Sequence, residues 1–133
     1  MNHTGEAVKI LFDTGHMTFA GGNSLKVINK YAKRINHVHT KDIRTEIVSK
    51  LDRDNESFLD AVLKGAFTVP GDGNINFREV VETLARNNYE GWFIVEAEQD
   101  PAKANPLEYA KIGFNELVIC LKSFDYQISD YED

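Results

Sequence analysis

Lys9-Ile10-Leu11-Phe12-Asp13-Thr14-Gly15-His16 runs from apolar residues into an acid and a histidine. The stretch Val8 to Phe12 reads as a buried parallel strand. Ligands in α/β folds gather at the carboxyl ends of strands, so polar groups directly after this run stand where chemistry is placed. The pattern returns at His37-Val38-His39-Thr40-Lys41-Asp42 and at Ile94-Val95-Glu96-Ala97-Glu98. Three strand ends, each with a group able to bind metal or move a proton, point to one shared site.

Around these stretches the composition is that of an ordinary globular chain. The 133 residues are 42% hydrophobic and 27% charged, enough for one domain with its own core. The formal charge of −6 argues against a nucleic-acid partner, which favours a basic face. No apolar run approaches the roughly 18 residues of a membrane helix. No signal-peptide pattern precedes the first strand. These features predict a cytoplasmic protein with no membrane partner. The single Cys120 fits a reducing compartment, and its apolar setting Leu117-Val118-Ile119-Cys120-Leu121 marks it as core rather than nucleophile.

The order of elements sets the fold class. Residues 1–7 are polar and predict a loose end; the domain spans 8–124; an acidic tail fills 125–133, frayed from Ser129 on. Gly15, Gly21 and Gly22 frame a loop after the first strand. Asn23 or Ser24 caps a helix over about 24–34, and Ile35 to Thr40 is the second strand. Ile43, Ile47 and Leu51 have helical spacing, and a short helix starts near Ser57 and stops at Gly65. Ala66 to Val69 is extended, before the tight loop Pro70-Gly71-Asp72-Gly73. Asn76 and Glu79 open a helix that runs to about Asn88, and Gly91 to Glu96 is the third strand. Asn105-Pro106-Leu107-Glu108 opens the last helix, which ends near Ser123. This alternation implies an α/β fold with parallel strands and right-handed crossovers. Three such units cover one side of a sheet well, which suggests part of a larger architecture.

Asp13 and His16 lie three residues apart past the first strand, placed to share a divalent metal or to divide metal and substrate between them. His37 and His39 alternate along the second strand and share a face. His39, nearer the carboxyl end, is the better ligand, and His37 the better hydrogen-bonding partner. Lys41 at the strand tip could hold a substrate oxygen or donate a proton; a solvated lysine is the alternative. Glu96 and Glu98 also share a strand face. Glu96 is the preferred ligand because it lies against the apolar run, and Glu98 is expected toward solvent or a loop. Asp13, His39 and Glu96 would make an oxygen, nitrogen, oxygen set compatible with Mn²⁺, Co²⁺, Fe²⁺, Mg²⁺ or Zn²⁺. With no thiolate among them, a structural zinc site is not expected.

Together Asp13-Thr14-Gly15-His16, His37 to Asp42, Pro70 to Gly73, Tyr89-Glu90-Gly91-Trp92 and Val95 to Pro101 resemble the xylose-isomerase-like TIM-barrel family. The resemblance covers about residues 8–123, and the order and spacing of the motifs carry it. It implies a partial barrel, the C-terminal three βα units (strands 6–8) of a (β/α)8 fold. It implies a glutamate, aspartate, histidine, glutamate metal set, of which Asp13, His39 and Glu96 match the last three. It also makes His16 a substrate-binding residue and puts Mn²⁺ or Co²⁺ ahead of the other metals.

Within the family, the stretch from Glu96 to Pro106 is similar to a lyase that dehydrates the keto-polyol 2-keto-myo-inositol. In that chemistry the metal polarises the carbonyl, a carboxylate removes the neighbouring carbon's proton, and an acid protonates the departing hydroxyl. Glu96 is then base or ligand, while His16 and Lys41 contact substrate or assist as acid. With three of four ligands, the chain is expected to be weakly active or inactive alone and to self-associate into a homo-oligomer through open strand edges. A sugar isomerase or epimerase of the same family is the first alternative. A non-catalytic, self-associating partial barrel is the second.

Overall fold

The structure, a computed structural model, describes residues 3–129. Strand β1 (Ile10–Asp13) leads directly into α1 (Thr14–Phe19), then α2 (Ser24–Tyr31) and a single 3₁₀ turn at Ala32–Arg34. Strand β2 (Ile35–Thr40) is followed by the short β3 (Asp42–Ile43), α3 (Thr45–Val48), α4 (Phe58–Leu63) and the short β4 (Phe67–Thr68). Helix α5 (Phe77–Arg86), strand β5 (Trp92–Val95) and helix α6 (Pro106–Lys122) complete the order.

Strands β1, β2 and β5 form one parallel sheet in that spatial order, and β3 and β4 form a small antiparallel pair. The three parallel strands and their intervening helices are the α/β arrangement that the sequence predicts. Register decides where the chemistry lands. Asp13 pairs with His39 across β1 and β2, and Thr40 pairs with Val95 across β2 and β5. Asp13, His39 and Glu96 therefore emerge side by side at the carboxyl end of the sheet.

Two local expectations are revised. The segment after β1 is helical rather than looped, because Asp13 caps it: its Oδ1 accepts the His16 N–H at 2.7 Å. Ile43 lies in β3 instead of a helix, since Arg44 N donates to Ala66 O and ties this segment to the β4 side. Elsewhere the caps act as read. Ser57 and Asp60 make a reciprocal capping box on α4, and Asn105 accepts from the N–H groups of Leu107 and Glu108 ahead of Pro106 at the helix start. Gly65 ends its turn at φ +83°, a conformation that side chains other than glycine disfavour.

The core lies between the sheet and its helices. Phe12, Ile28, Ile35, Val38, Val80 and Leu84 form its main cluster, with Val38 fully buried on the face opposite His37 and His39. Cys120 sits in a second cluster with Phe77, Val81 and Leu117. Burial pushes its thiol up to about 11, and Glu116 adds to the shift, as suits a packing residue. Residues 3–8 rest on Arg34, whose guanidinium donates to Gly5 O and Val8 O and to Thr4 Oγ1. After α6 the Tyr126 hydroxyl donates to Tyr89 O, which ties this segment to the start of β5. Residues 130–133, read from the sequence as a frayed acidic end, lie outside the described residues.

Candidate functional site

The loops beneath the site are fixed by a buried carboxylate. Asp42 is fully buried and accepts three backbone N–H groups: Ile43 and Ile75 at Oδ1, Gly73 at Oδ2. Burial pushes its carboxyl above the ordinary aspartate range, while the surrounding N–H groups oppose that shift. Asp72 accepts from Thr68 Oγ1 at 2.6 Å and pairs with Arg44. The Pro70–Gly73 turn is thereby anchored on both sides.

Asp13, His39 and Glu96 each present a ligand atom, and these atoms lie within 4.8 Å of one another. His39 Nδ1 is 2.5 Å from Glu96 Oε2 and 3.7 Å from Asp13 Oδ2. Donor atoms about 2.1 Å from a shared ion stand roughly 3–4 Å apart; the His39–Asp13 separation falls in that range, and His39 and Glu96 would move apart slightly to admit an ion. Among the described residues, Glu96 Oε2 is buried without an aligned hydrogen bond, although His39 Nδ1 and, at 3.5 Å, Lys41 Nζ lie beside it. A carboxylate oxygen buried without an aligned hydrogen-bond donor is costly, and a cation relieves that cost. The donor set fits a divalent ion.

Beside this triad lies Lys41, with a side chain only 1% exposed. Its Nζ is 2.6 Å from His16 Nε2, 3.1 Å from Glu98 Oε2, 3.4 Å from Asp13 Oδ2 and 3.5 Å from Glu96 Oε2. The stem reaches this point over Gly15, where an added Cβ would lie 2.7 Å from Lys41 Cγ. The Thr14 hydroxyl donates to Lys41 O at 2.6 Å and fixes the strand end. The His16 ring sits 5.7 Å from the ring of Phe58 and 5.5 Å from that of Phe67. His37 stays outside the ligand group, its ring 5.4 Å from that of His39.

The sequence reading brings five of these side chains together: Asp13, His16, His39, Lys41 and Glu96. It expects Glu98 toward solvent or a loop, outside the site, although Glu98 Oε2 is 3.1 Å from both His16 Nε2 and Lys41 Nζ. The Glu96-Ala97-Glu98 alternation is the signal that places both acids on one face. Gly15 reads from sequence as turn chemistry only. Three carboxylates against one ammonium leave a site charge of −2 when the imidazoles are neutral, the complement of a divalent cation.

A parallel α/β sheet carrying an acid, histidine and acid at adjacent strand ends is a metal-site architecture of the barrel class. The model of the Xylose isomerase-like TIM barrel family matches residues 2–118, and the chain belongs to that family. Its curated relatives include inosose dehydratase of Clostridium botulinum (strain Eklund 17B / Type B), 59% identical over 106 residues, which covers 80% of this chain and 36% of the relative. Inosose dehydratase 2 of Bacillus cereus is 59% identical over 105 residues, 79% of this chain and 35% of that protein. The rhizopine catabolism protein MocC of Rhizobium meliloti is 46% identical over 129 residues, 97% of this chain and 40% of its own length. The chain thus spans a little over a third of the length of these relatives.

Proposed function

We propose that this chain carries the metal-binding and substrate-binding side of an inosose-dehydratase-type hydro-lyase acting on 2-keto-myo-inositol in the cytoplasm, its three parallel strands being strands 6–8 of the barrel. The observation that carries this reading is the convergence of Asp13, His39 and Glu96, with Glu96 Oε2 buried and lacking an aligned hydrogen bond among the described residues. Asp13, His39 and Glu96 would hold Mn²⁺ or Co²⁺, with Mg²⁺, Fe²⁺ and Zn²⁺ as chemically compatible alternatives. When bound, such an ion supplies Lewis-acid polarisation of a substrate carbonyl.

The remaining work falls to the chain's own residues. Glu96 turns Oε2 toward His39, which leaves its second oxygen to take a proton from the carbon beside the carbonyl. Lys41 and His16 stand together on the other side, 2.6 Å apart. Lys41 Nζ can donate to a substrate oxygen or to the departing hydroxyl, and His16 can fix a second hydroxyl. Phe58 and Phe67 pack against the His16 ring, which stays partly open to solvent.

Incubating the chain with MnCl₂ and 2-keto-myo-inositol in D₂O, followed by NMR, tests the reading. The expected result is deuterium incorporation beside the carbonyl together with loss of water, at a slow rate, both abolished by Lys41→Met. Exchange without water loss would favour the isomerase or epimerase reading. Neither exchange nor Mn²⁺ binding would favour the non-catalytic partial barrel.

Strands β1 and β5 are the two edges of the sheet, and Leu11, Trp92 and Phe114 are exposed beside or near them. Such edges and apolar surfaces favour association. We propose that the chain forms a homo-oligomer. Sedimentation velocity at micromolar concentration is expected to show a species larger than 15.1 kDa. A compact monomer would overturn it.

A further inference from the structure

We propose that Glu98 is a positioning residue: it is the counter-ion of Lys41, and by holding the ammonium it keeps Asp13 and Glu96 available to a divalent cation. The inference rests on the metal centre proposed above. Lys41 Nζ has three N–H groups and four acceptors within 3.5 Å. The two closest, His16 Nε2 at 2.6 Å and Glu98 Oε2 at 3.1 Å, lie away from the triad. The two more distant, Asp13 Oδ2 at 3.4 Å and Glu96 Oε2 at 3.5 Å, are the proposed metal ligands.

A buried ammonium needs a paired charge. Once a divalent ion takes the charge of Asp13 and Glu96, only Glu98 remains to neutralise Lys41. Without Glu98, the ammonium's best partners are the same two carboxylates that the cation needs, and ammonium and cation compete. Glu98 also touches His16 directly, 3.1 Å from Nε2. A Lys41 ammonium donating to both Nε2 and Glu98 requires the His16 hydrogen on Nδ1, whereas the other tautomer donates from Nε2 to Glu98.

Glu98→Gln keeps the side chain's length and one acceptor oxygen but removes the charge. Titration calorimetry with MnCl₂ alone is expected to show about tenfold weaker binding, the lower end of what loss of an outer partner of a metal ligand costs. Lys41→Met is expected to tighten Mn²⁺ binding. In the Lys41→Met background, Glu98→Gln is expected to weaken binding several-fold less than it does in the parent chain. An equal loss in both backgrounds would overturn the proposal, because it would mean that Glu98 acts only through its field on the cation.

A second readout needs no metal. In the metal-free chain, the ¹⁵N signal of His16 Nε2 is expected to move toward that of a free imidazole in Glu98→Gln, as Lys41 swings to Asp13 and Glu96. An unchanged signal would overturn the proposal. Because Glu98 also touches His16 Nε2, the same shift is measured in the Lys41→Met background, where it is expected to be smaller. An equal shift there would overturn the proposal, and this comparison stands even if the parent chain binds no Mn²⁺ and the metal reading falls.

Discussion

Asp42→Ala is expected to destabilise the chain by about 4 kcal/mol or more, a large share of the roughly 5–15 kcal/mol that holds a domain together. The substitution strands one buried N–H donor, of Ile43, and two part-buried ones, of Gly73 and Ile75, at about 1–3 kcal/mol each. Asp42→Asn should cost less. Its oxygen at the Oδ1 position still serves Ile43 and Ile75, but its amide meets the Gly73 N–H donor to donor. The pH dependence has a definite sign. Burial raises the folded carboxyl above the ordinary aspartate value of about 3.9, so the folded state holds the proton more tightly than the unfolded chain. This contribution is fully present below that value and is lost as pH rises through the folded pKa. Urea midpoints of the parent and Asp42→Asn at neutral and mildly acidic pH should therefore diverge on acidification. A gap that narrows would show that Asp42 is held ionised.

How much of this can be read from the sequence follows from which signals are local. Period-two alternation at His37 and His39, and at Glu96 and Glu98, assigns each pair to one strand face without any tertiary knowledge. The caps at Ser57 and Asn105 are equally local. The triad is legible because three strands carry their ligands at corresponding ends, and parallel register then aligns Asp13 with His39. What the sequence leaves open depends on contacts between distant segments. Lys41 and Glu98 are 57 positions apart, and a buried lysine reads the same as a solvated one until its partners are placed. Gly15 gives no sign that Lys41 passes over it. The structural role of Asp42 lies in N–H groups more than thirty residues away. The helix after β1 escapes a sequence reading because Thr14-Gly15-His16 has weak helical propensity. The Asp13 cap outweighs that weakness, and the same cap leaves Oδ2 directed at His39 and Lys41.

Glu96→Gln is expected to abolish Mn²⁺ binding while leaving the metal-free fold intact, and the pair of effects separates a ligand from a structural residue. Among the described residues Glu96 Oε2 makes no aligned hydrogen bond, so the neutral amide removes a poorly solvated charge at the expense of its attraction to His39 and Lys41. These terms oppose each other, and the metal-free variant should fall within about 1 kcal/mol of the parent. Mn²⁺ at a hundred times its dissociation constant should stabilise the parent by about 2.7 kcal/mol. In Glu96→Gln this gain should vanish, with affinity reduced by more than about a hundredfold, beyond the range for an outer partner. Thermal unfolding with and without MnCl₂ measures both quantities. Asp13 supplies the control, because it has two duties. Asp13→Asn keeps the α1 cap and should behave as Glu96→Gln does. Asp13→Ala also loses the cap and should drop the metal-free chain by about a further 1 kcal/mol. If Glu96→Gln instead destabilised the metal-free chain by several kcal/mol, Glu96 would be holding Lys41 and His39 together as a structural ion pair, and the case for a metal at this triad would lose its main support.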